Sequence, residues 1–253
     1  MAAPFTIAQL SDLHVGAAWG DASESAVAAA LAAVALVLGR PADAVVVTGD
    51  IANTPTDAEY ERARMLLDEL AAPVYVLPGN HDDRDALRRH FALPATEAEH
   101  LSYVADLGPI RIIALDTVRP AESGGQLDGP RLAWLKTALA ADRTTPTLLS
   151  MHHPPLDIGQ SGMDAIGIPE PERRALGAIL ADHPQVHRII SGHVHHAVIG
   201  DLDGTPVLAV PSTGVQLVLD FETDSTRFAP ETASFALHLV VGGRIVSHLQ
   251  PIR

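Results

Sequence analysis

The chain has 253 residues, 47 % of them hydrophobic, enough to bury a large core in one unit, and nothing in its composition demands a second domain. Seventeen basic residues against thirty-one acidic ones give a net charge of −14, which repels polyanions and leaves no basic stripe for nucleic acid. Cysteine is absent, so disulfides and thiolate ligands are excluded; any metal must be held by nitrogen and oxygen donors, which favours Mn, Fe, Zn, Co or Mg.

Residues 1–10 carry no basic leader region, and no stretch reaches the roughly eighteen uncharged apolar residues needed to span a bilayer, so the expected compartment is the cytoplasm with no membrane partner. A strand over 5–10 leads into Asp12-Leu13-His14. An Ala-rich helix over 25–38 returns to a second strand, 44–49, which ends at Gly49-Asp50. Thr56 followed by Glu59 has the spacing of a capping box and predicts a helix through Leu70. Pro73 then opens a third strand, 74–77, and the loop Gly79-Asn80-His81-Asp82-Asp83 follows it.

Strands are predicted near 101–105 and 110–115, the latter ending at Asp116, which reads as a loop carboxylate. A helix over 130–141 precedes the strand 147–151 and the pair His152-His153. The glycine-rich loop 156–168 reads as a substrate-shaping loop rather than a tolerated insertion. A helix over 169–181 and a strand over 186–191 deliver Gly192-His193-Val194-His195-His196. From 197 onward helical periodicity stops and mainly antiparallel β-structure is expected, with 235–241 and 244–249 joined at Gly242-Gly243 as a hairpin. The segment 220–232 is left as either a cover for the site or a contact between subunits of a homo-oligomer. Nothing in the sequence places a domain boundary, so 1–253 reads as a single domain.

Seven of the thirteen histidines, His14, His81, His152, His153, His193, His195 and His196, fall in the five clusters, each behind an apolar β-like run. Ligands of open α/β sheets gather at the carboxyl ends of strands, so convergence is geometrically cheap. Side-chain alternation places Asp12 and His14 on one face, able to grip one ion, and His193 and His195 repeat the device. Asp50 stands where a carboxylate could bridge two cations, and Asn80 with His152 would complete the second. Any one fragment matches by chance as a turn or cap; all five in order do not. The remaining histidines, His90, His100, His183, His187, His238 and His248, read as solvated or core-satisfied.

The ordered set resembles the calcineurin-like metallophosphoesterase superfamily, across residues 12–195. Within it the stretches 49–53, 78–83, 151–156 and 191–196 are most similar to bacterial class III cyclic-nucleotide phosphodiesterases and the related glycerophosphodiesterases. The resemblance implies an α/β fold, a four-layer metallophosphoesterase sandwich with two mixed β-sheets flanked by helices. It implies a metal-dependent phosphoric diester hydrolase with two divalent or trivalent ions, Mn, Fe or Zn. Asp12, His14, Asp50 and His195 would hold the first ion with Asp50 bridging, and Asn80, His152 and His193 the second, leaving His153 to orient a ligand. His81 is implied as a catalytic group beside the leaving oxygen and, with Asn53 and His195, as a substrate contact; Asp50 and Asn80 join it in catalysis. Many superfamily members carry an Asp where Asn53 stands, which leaves Asp82 and Asp83 either to orient His81 or to cap the next helix. The expected reaction is in-line attack on the phosphorus by a metal-bridging hydroxide. The substrate is a small phosphodiester, cyclic AMP first, a glycerophosphodiester second and a phosphomonoester third. A nuclease subunit conflicts with the acidic charge, and an inactive scaffold conflicts with an intact set of ligands.

Overall fold

The computed structural model describes residues 4–17, 23–94, 99–223 and 225–252. In chain order the first half contains β1 (Phe5–Leu10), α1 (Ser23–Leu38), β2 (Ala44–Val47), α2 (Asp57–Asp68), β3 (Val74–Val76), α3 (Arg84–His90), β4 (Tyr103–Asp106), β5 (Arg111–Ala114) and α4 (Gly129–Ala141). The second half contains β6 (Thr147–Ser150), α5 (Ser161–Asp164), α6 (Glu170–Ala181), β7 (Val186–Ser191), β8 (Val198–Leu202), β9 (Thr205–Ala209), β10 (Gln216–Leu217), β11 (Phe228–Ala229), β12 (Ser234–Val241) and β13 (Arg244–Pro251). Half of the capping box forms: the Thr56 hydroxyl accepts the Glu59 N–H at the start of α2, while the Glu59 carboxylate takes the Thr54 N–H (2.7 Å) in place of that of Thr56.

Two large mixed sheets organise these elements. One has the order β13-β12-β1-β2-β3, with β1, β2 and β3 parallel and β12 and β13 antiparallel. The other has the order β4-β5-β6-β7-β9-β8, parallel from β5 through β9 and antiparallel at both edges. The C-terminal region is therefore mainly antiparallel, as expected, except that β9 runs parallel to β7.

Period-two alternation explains the layers. Ile7, Ala44 and Val46 of the first sheet share a buried cluster with Ile112, Leu148 and Ile190 of the second. Their sequence neighbours Ala8, Val45 and Val47 turn the other way, onto Val27 and Leu31 of α1 and Tyr60 and Leu67 of α2. Ile113, Leu149 and Ile189 likewise face Leu135 and Leu139 of α4 and Leu176 and Ile179 of α6. The strands read as continuous apolar runs because both faces are covered, and the result is helix, sheet, sheet, helix. Buried Gln9 ties the sheets together: its amide donates to Ser191 O (3.0 Å) and Thr48 Oγ1 (3.1 Å). No helix among the described residues is long and apolar enough to cross a membrane.

Asp116 at the end of β5 is more than a loop carboxylate. It is fully buried, takes a two-pronged ion pair from Arg84 (2.5 and 3.1 Å), and accepts the backbone N–H groups of Leu101 and Val118. It thereby locks the start of α3, directly after the 79–83 loop, to the second sheet. Replacing Arg84 with Met strands this buried charge, which costs about 3–5 kcal/mol; urea unfolding of Arg84→Met that matches the parent protein would contradict the assignment.

Candidate metal centre

The clusters converge at the carboxyl ends of β1, β2, β3, β6 and β7, and the backbone does so by a route that sequence alternation does not describe. β1 ends at Leu10 and β7 at Ser191, so Asp12, His14, His193 and His195 all lie beyond the strands. Five of the candidate ligands instead adopt left-handed backbone: Asp12 (φ 52°), His14 (43°), Asp50 (51°), His193 (67°) and His195 (46°). Alternation in extended chain is thus the wrong reason for the shared direction of each pair. A left-handed non-glycine residue costs on the order of 1 kcal/mol, and such strain gathers where surrounding structure overrides it.

What overrides it is a set of loop-to-loop hydrogen bonds. Asp12 N–H donates to Gly49 O (3.0 Å), His14 N–H to Asp50 O (2.9 Å) and Val15 N–H to Ile51 O (3.0 Å), zipping the two loops together past the ends of their strands. The His193 N–H donates to the Asp12 carboxylate (3.1 Å), which joins the second sheet to the first. Two glycines make room. A Cβ on Gly49, at φ +97°, would run into the His152 ring, and one on Gly192 would overlap Ser11 and Asp12.

Two donor sets result. In the first, ligand atoms of Asp12, His14, Asp50 and His195 all lie within 4.8 Å of one another. Nε2 of His14 is 3.1 Å from Nε2 of His195, and that atom is 3.4 Å from Asp12 Oδ1. In the second, Asn80 Oδ1 lies 3.1 Å from His152 Nε2 and 3.0 Å from His193 Nδ1. Asp50 Oδ2 sits between the sets, 3.5 Å from His14 Nε2 and 3.5 Å from His152 Nε2.

These donors fit cations. His152 Nδ1 is 2.8 Å from Thr48 O and His195 Nδ1 is 2.8 Å from Val215 O. A carbonyl accepts only, so each Nδ1 carries a hydrogen and each Nε2 is left as the atom that would bind a cation once its own proton is displaced, the usual support of a metal-binding histidine. Without a cation the His152 Nε2–H donates to Asn80 Oδ1 at 3.1 Å; an ion that displaced this proton would meet an imidazole lone pair and an amide oxygen already side by side. The His193 Nε2 is buried without a hydrogen-bond partner among the described residues, which leaves Nδ1 as its working atom. His153 differs: Nδ1 is held by Thr117 Oγ1 (2.8 Å) and Nε2 by Ser123 O (3.1 Å), so both nitrogens are taken while the ring packs 4.3 Å from His193. Burial, and then its neighbour His152, push the His153 ring down to about 3, which keeps it neutral.

The calcineurin-like phosphoesterase family description matches residues 5–197, more than half of the chain. The chain belongs to that family. This phosphoesterase is 36 % identical over 214 residues to a probable cyclic nucleotide phosphodiesterase of Synechococcus sp., covering 83 % of the chain and 81 % of the relative. It is 33 % identical to a 3',5'-cyclic adenosine monophosphate phosphodiesterase of Pseudomonas aeruginosa over 79 % of the chain and 68 % of the relative. A glycerophosphodiester phosphodiesterase of Enterobacter lignolyticus is 32 % identical over 83 % and 76 % respectively. A solved purple acid phosphatase from yellow lupin shares the fold at a TM-score of 0.72 and 15 % identity, over 99 % of this chain, which spans about half (52 %) of the lupin one. The family and the clustered donors together give a dinuclear metal site.

Electrostatics in the phosphoesterase's centre couple the ligands to protons. Burial works to lower His152, yet the adjoining Asp50 charge and hydrogen bond outweigh it and hold the ring up to about 9. Asp50 in turn is opposed by burial and held well below the carboxylate range by His152 and His14. His14 falls to about 4, burial outweighing the pull of Asp50. In apoprotein the His152 proton therefore stabilises the fold fully below the unfolded value of about 6.5, and this contribution fades as pH rises through about 9. A cation must displace that proton. Mn²⁺ titrated into apoprotein at pH 7, in buffers of different ionisation enthalpy, should release protons, and its affinity should climb toward pH 9; affinity flat with pH would refute the coupling.

The expectations for His81 need correction. Its Nδ1 lies 2.9 Å from the backbone oxygen of Asn53, so neither Asp82 nor Asp83 orients the ring, and the Asn53 side chain is not among the groups lining the cleft. Asp83 caps α3 through the Ala86 N–H. Asp82 takes the N–H groups of Ile51, Ala52 and Gly79 and the Tyr60 hydroxyl, pinning the Asp50 loop to the Asn80 loop. Burial and the nearby Asp50 raise its carboxyl to about 7.

The donor sets open into a cleft of about 310 Å³. Its lining also includes Ser123, Met163, Ile166, Thr226 and Phe228, which the sequence marked only as members of segments or not at all. Met163 and Ile166 belong to the 156–168 loop, which folds into the one-turn helix α5 instead of remaining unstructured. Thr226 and Phe228 come from the 220–232 segment, of which Asp224 lies outside the described residues. The only signal available in advance was apolar side chains within glycine-rich or polar loops.

Proposed function

We propose that this phosphoesterase hydrolyses 3',5'-cyclic nucleotides, cyclic AMP foremost, to the open monoester at a dinuclear Mn, Fe or Zn centre, as a cytoplasmic single-domain enzyme. The observation that carries the reading is the pairing of two donor sets around Asp50 with an aromatic ring beside them, Phe228 standing edge-on 5.0 Å from His195. Asp12, His14 and His195 would hold one ion, Asn80, His152 and His193 the other, and Asp50 both. When bound, the ions supply an acidified water as nucleophile and neutralise charge gathering on the phosphoryl oxygens.

The chain's own groups do the rest. Asn80 and His81 line the cleft where the phosphate would rest, and His81, its Nδ1–H donating to Asn53 O, turns Nε2 toward the cleft, where the ring in its doubly protonated form would donate to the leaving oxygen. Phe228, Met163 and Ile166 offer an apolar face to the organic group. A nucleobase uses such a face and a glycerol headgroup does not, which favours the cyclic nucleotide over the glycerophosphodiester that one group of relatives is named for.

Specific activities on cyclic AMP, glycerophosphoethanolamine and a phosphomonoester, measured side by side after Mn reconstitution, test the assignment. Cyclic AMP should be turned over fastest; preference for either of the others overturns it. Base stacking on an aromatic ring contributes about 1–3 kcal/mol, so Phe228→Ala should raise KM for cyclic AMP by about tenfold while leaving glycerophosphoethanolamine within a factor of two. Equal effects on both would remove Phe228 from recognition of the base.

A further inference from the structure

Two loops supply the apolar lining of the metal cleft, and one side chain joins them. Met163 and Ile166 come from the 156–168 loop, Thr226 and Phe228 from the hairpin of β10 and β11. The first loop is braced internally. The Asp164 carboxylate accepts the N–H groups of Ile158 (2.7 Å) and Gly159 (3.1 Å), and the Gln160 carbonyl accepts those of Met163 (3.0 Å) and Asp164 (2.9 Å). Buried Met163 packs with Val194, Ala209 and Leu217. The hairpin has less to hold it: Gln216 pairs with Ala229, Leu217 with Phe228, and one further bond runs from Val218 N–H to Arg227 O (2.8 Å). Residues 221–223 and 225–228 are exposed. An isolated two-stranded hairpin is marginal in water, so one this short takes its position from what it docks on.

Its base is fixed at the metal centre, where Leu217 N–H donates to His195 O (3.0 Å). Its outer half is tied down by Gln160. That side chain is only 2 % exposed, and its amide meets the hairpin twice: Oε1 accepts the Asp220 N–H (3.2 Å) and Nε2 donates to Ser225 O (3.3 Å). Beside these bonds a Cβ on Gly159 would stand 3.7 Å from the Phe221 ring, so the two loops also approach each other there. Gln160 is not among the residues that line the cleft, so its effect on a substrate passes through the residues it holds. Ser225 immediately precedes Thr226, and Phe228 follows in β11.

We infer that Gln160 is a positioning residue for substrate recognition: it holds the β10–β11 hairpin against the α5 loop and so keeps Phe228 in place for the organic group of the diester, without itself touching substrate. The inference rests on the reading above that this group lies against Phe228. Loss of the amide leaves an N–H and a carbonyl without partners, and water satisfies both once the hairpin lifts away.

Two aryl diesters with the same leaving phenolate test the role on Mn-loaded protein: bis(p-nitrophenyl) phosphate, which carries a second ring, and methyl p-nitrophenyl phosphate, which does not. Gln160→Met keeps the length of the side chain and loses both bonds. It should raise KM for the bis-aryl ester about tenfold, the worth of one aromatic contact, while kcat on both esters and KM for the methyl ester stay at the parent values. In a Phe228→Ala background the same substitution should add nothing, because its effect passes through that ring. In the parent protein the Asp220 amide hydrogen should exchange far more slowly than in a free peptide. Unfolding curves confirm that each variant is folded. Unchanged KM for the bis-aryl ester in folded Gln160→Met, an equal loss on both esters, a full further loss in the Phe228→Ala background, or a freely exchanging Asp220 amide would each overturn the role of Gln160. If Phe228→Ala itself leaves KM for the bis-aryl ester at the parent value, the recognition reading falls and the inference with it; a raised KM there beside a silent Gln160→Met removes Gln160 alone.

Discussion

Asp50→Ala should empty both halves of the centre at once. Its Oδ2 stands 3.5 Å from a nitrogen of each donor set, and its Oδ1 accepts the His81 N–H (2.9 Å), so this one side chain touches ligands of both sets and the catalytic loop. Removing it takes away the negative charge that opposes burial at His152 and His14. It also leaves Asp12 as the one carboxylate for two dications. The expected result is metal content below half an equivalent after Mn reconstitution. Turnover should fall by on the order of 10⁴-fold or more, since several kcal/mol of charge stabilisation per ion disappear together. His14→Ala provides the contrast: its Nε2 meets His195 and Asp50 on the first-set side, so it should cost one ion and leave the Asn80, His152 and His193 set loaded. An Asp50→Ala protein that retains two equivalents of metal would show that the carboxylate does not bridge.

That contrast marks how far the residues could be read in advance. The apolar runs behind Asp12, Asp50, Asn80, His152 and His193 announce strands because both faces of each are buried, and their alternation between the inter-sheet core and the helix side follows from period two. The fold and the meeting of the clusters at one sheet end were legible on those grounds. The backbone that performs the meeting was not. Left-handed φ at Asp12, His14, Asp50, His193 and His195 is a property of loops zipped to one another, and residue type alone gives little sign of it: aspartate and histidine are several-fold enriched in that region, yet only a small minority of either adopt it. Asp82 and Asp116 show the same limit. Each is one acidic residue in a plausible turn, and each becomes structural only when three dispersed N–H groups or a distant arginine arrive in space. The substrate wall was legible as segments, 156–168 and 220–232, but not as residues: Met163, Ile166 and Phe228 are isolated apolar side chains in loops, where no periodicity distinguishes a binding surface from a covered one.

Asp82 also separates stability from chemistry in a way that sharpens the reading of His81. Because Asp82 holds the Asp50 and Asn80 loops by backbone contacts, the position of His81 does not depend on an acidic partner of its own. Its ring is instead fixed by the Asn53 carbonyl at 2.9 Å and by an edge-on contact with His14 at 4.7 Å. His81→Ala should therefore keep both ions and the fold, and lose only the hydrogen bond to the departing oxygen. A positioned acid of this kind contributes about 10²–10⁴-fold, so kcat should drop by that factor on cyclic AMP, whose alkoxide leaves poorly. On an aryl diester the loss should shrink toward tenfold, because a phenolate of low basicity departs with little help from a proton. Two measurements decide the role: metal content that stays at the parent level, and a rate loss that grows with the basicity of the leaving group. If His81→Ala sheds metal, or slows both substrates alike, the ring serves to shape the centre and the leaving oxygen finds its proton elsewhere.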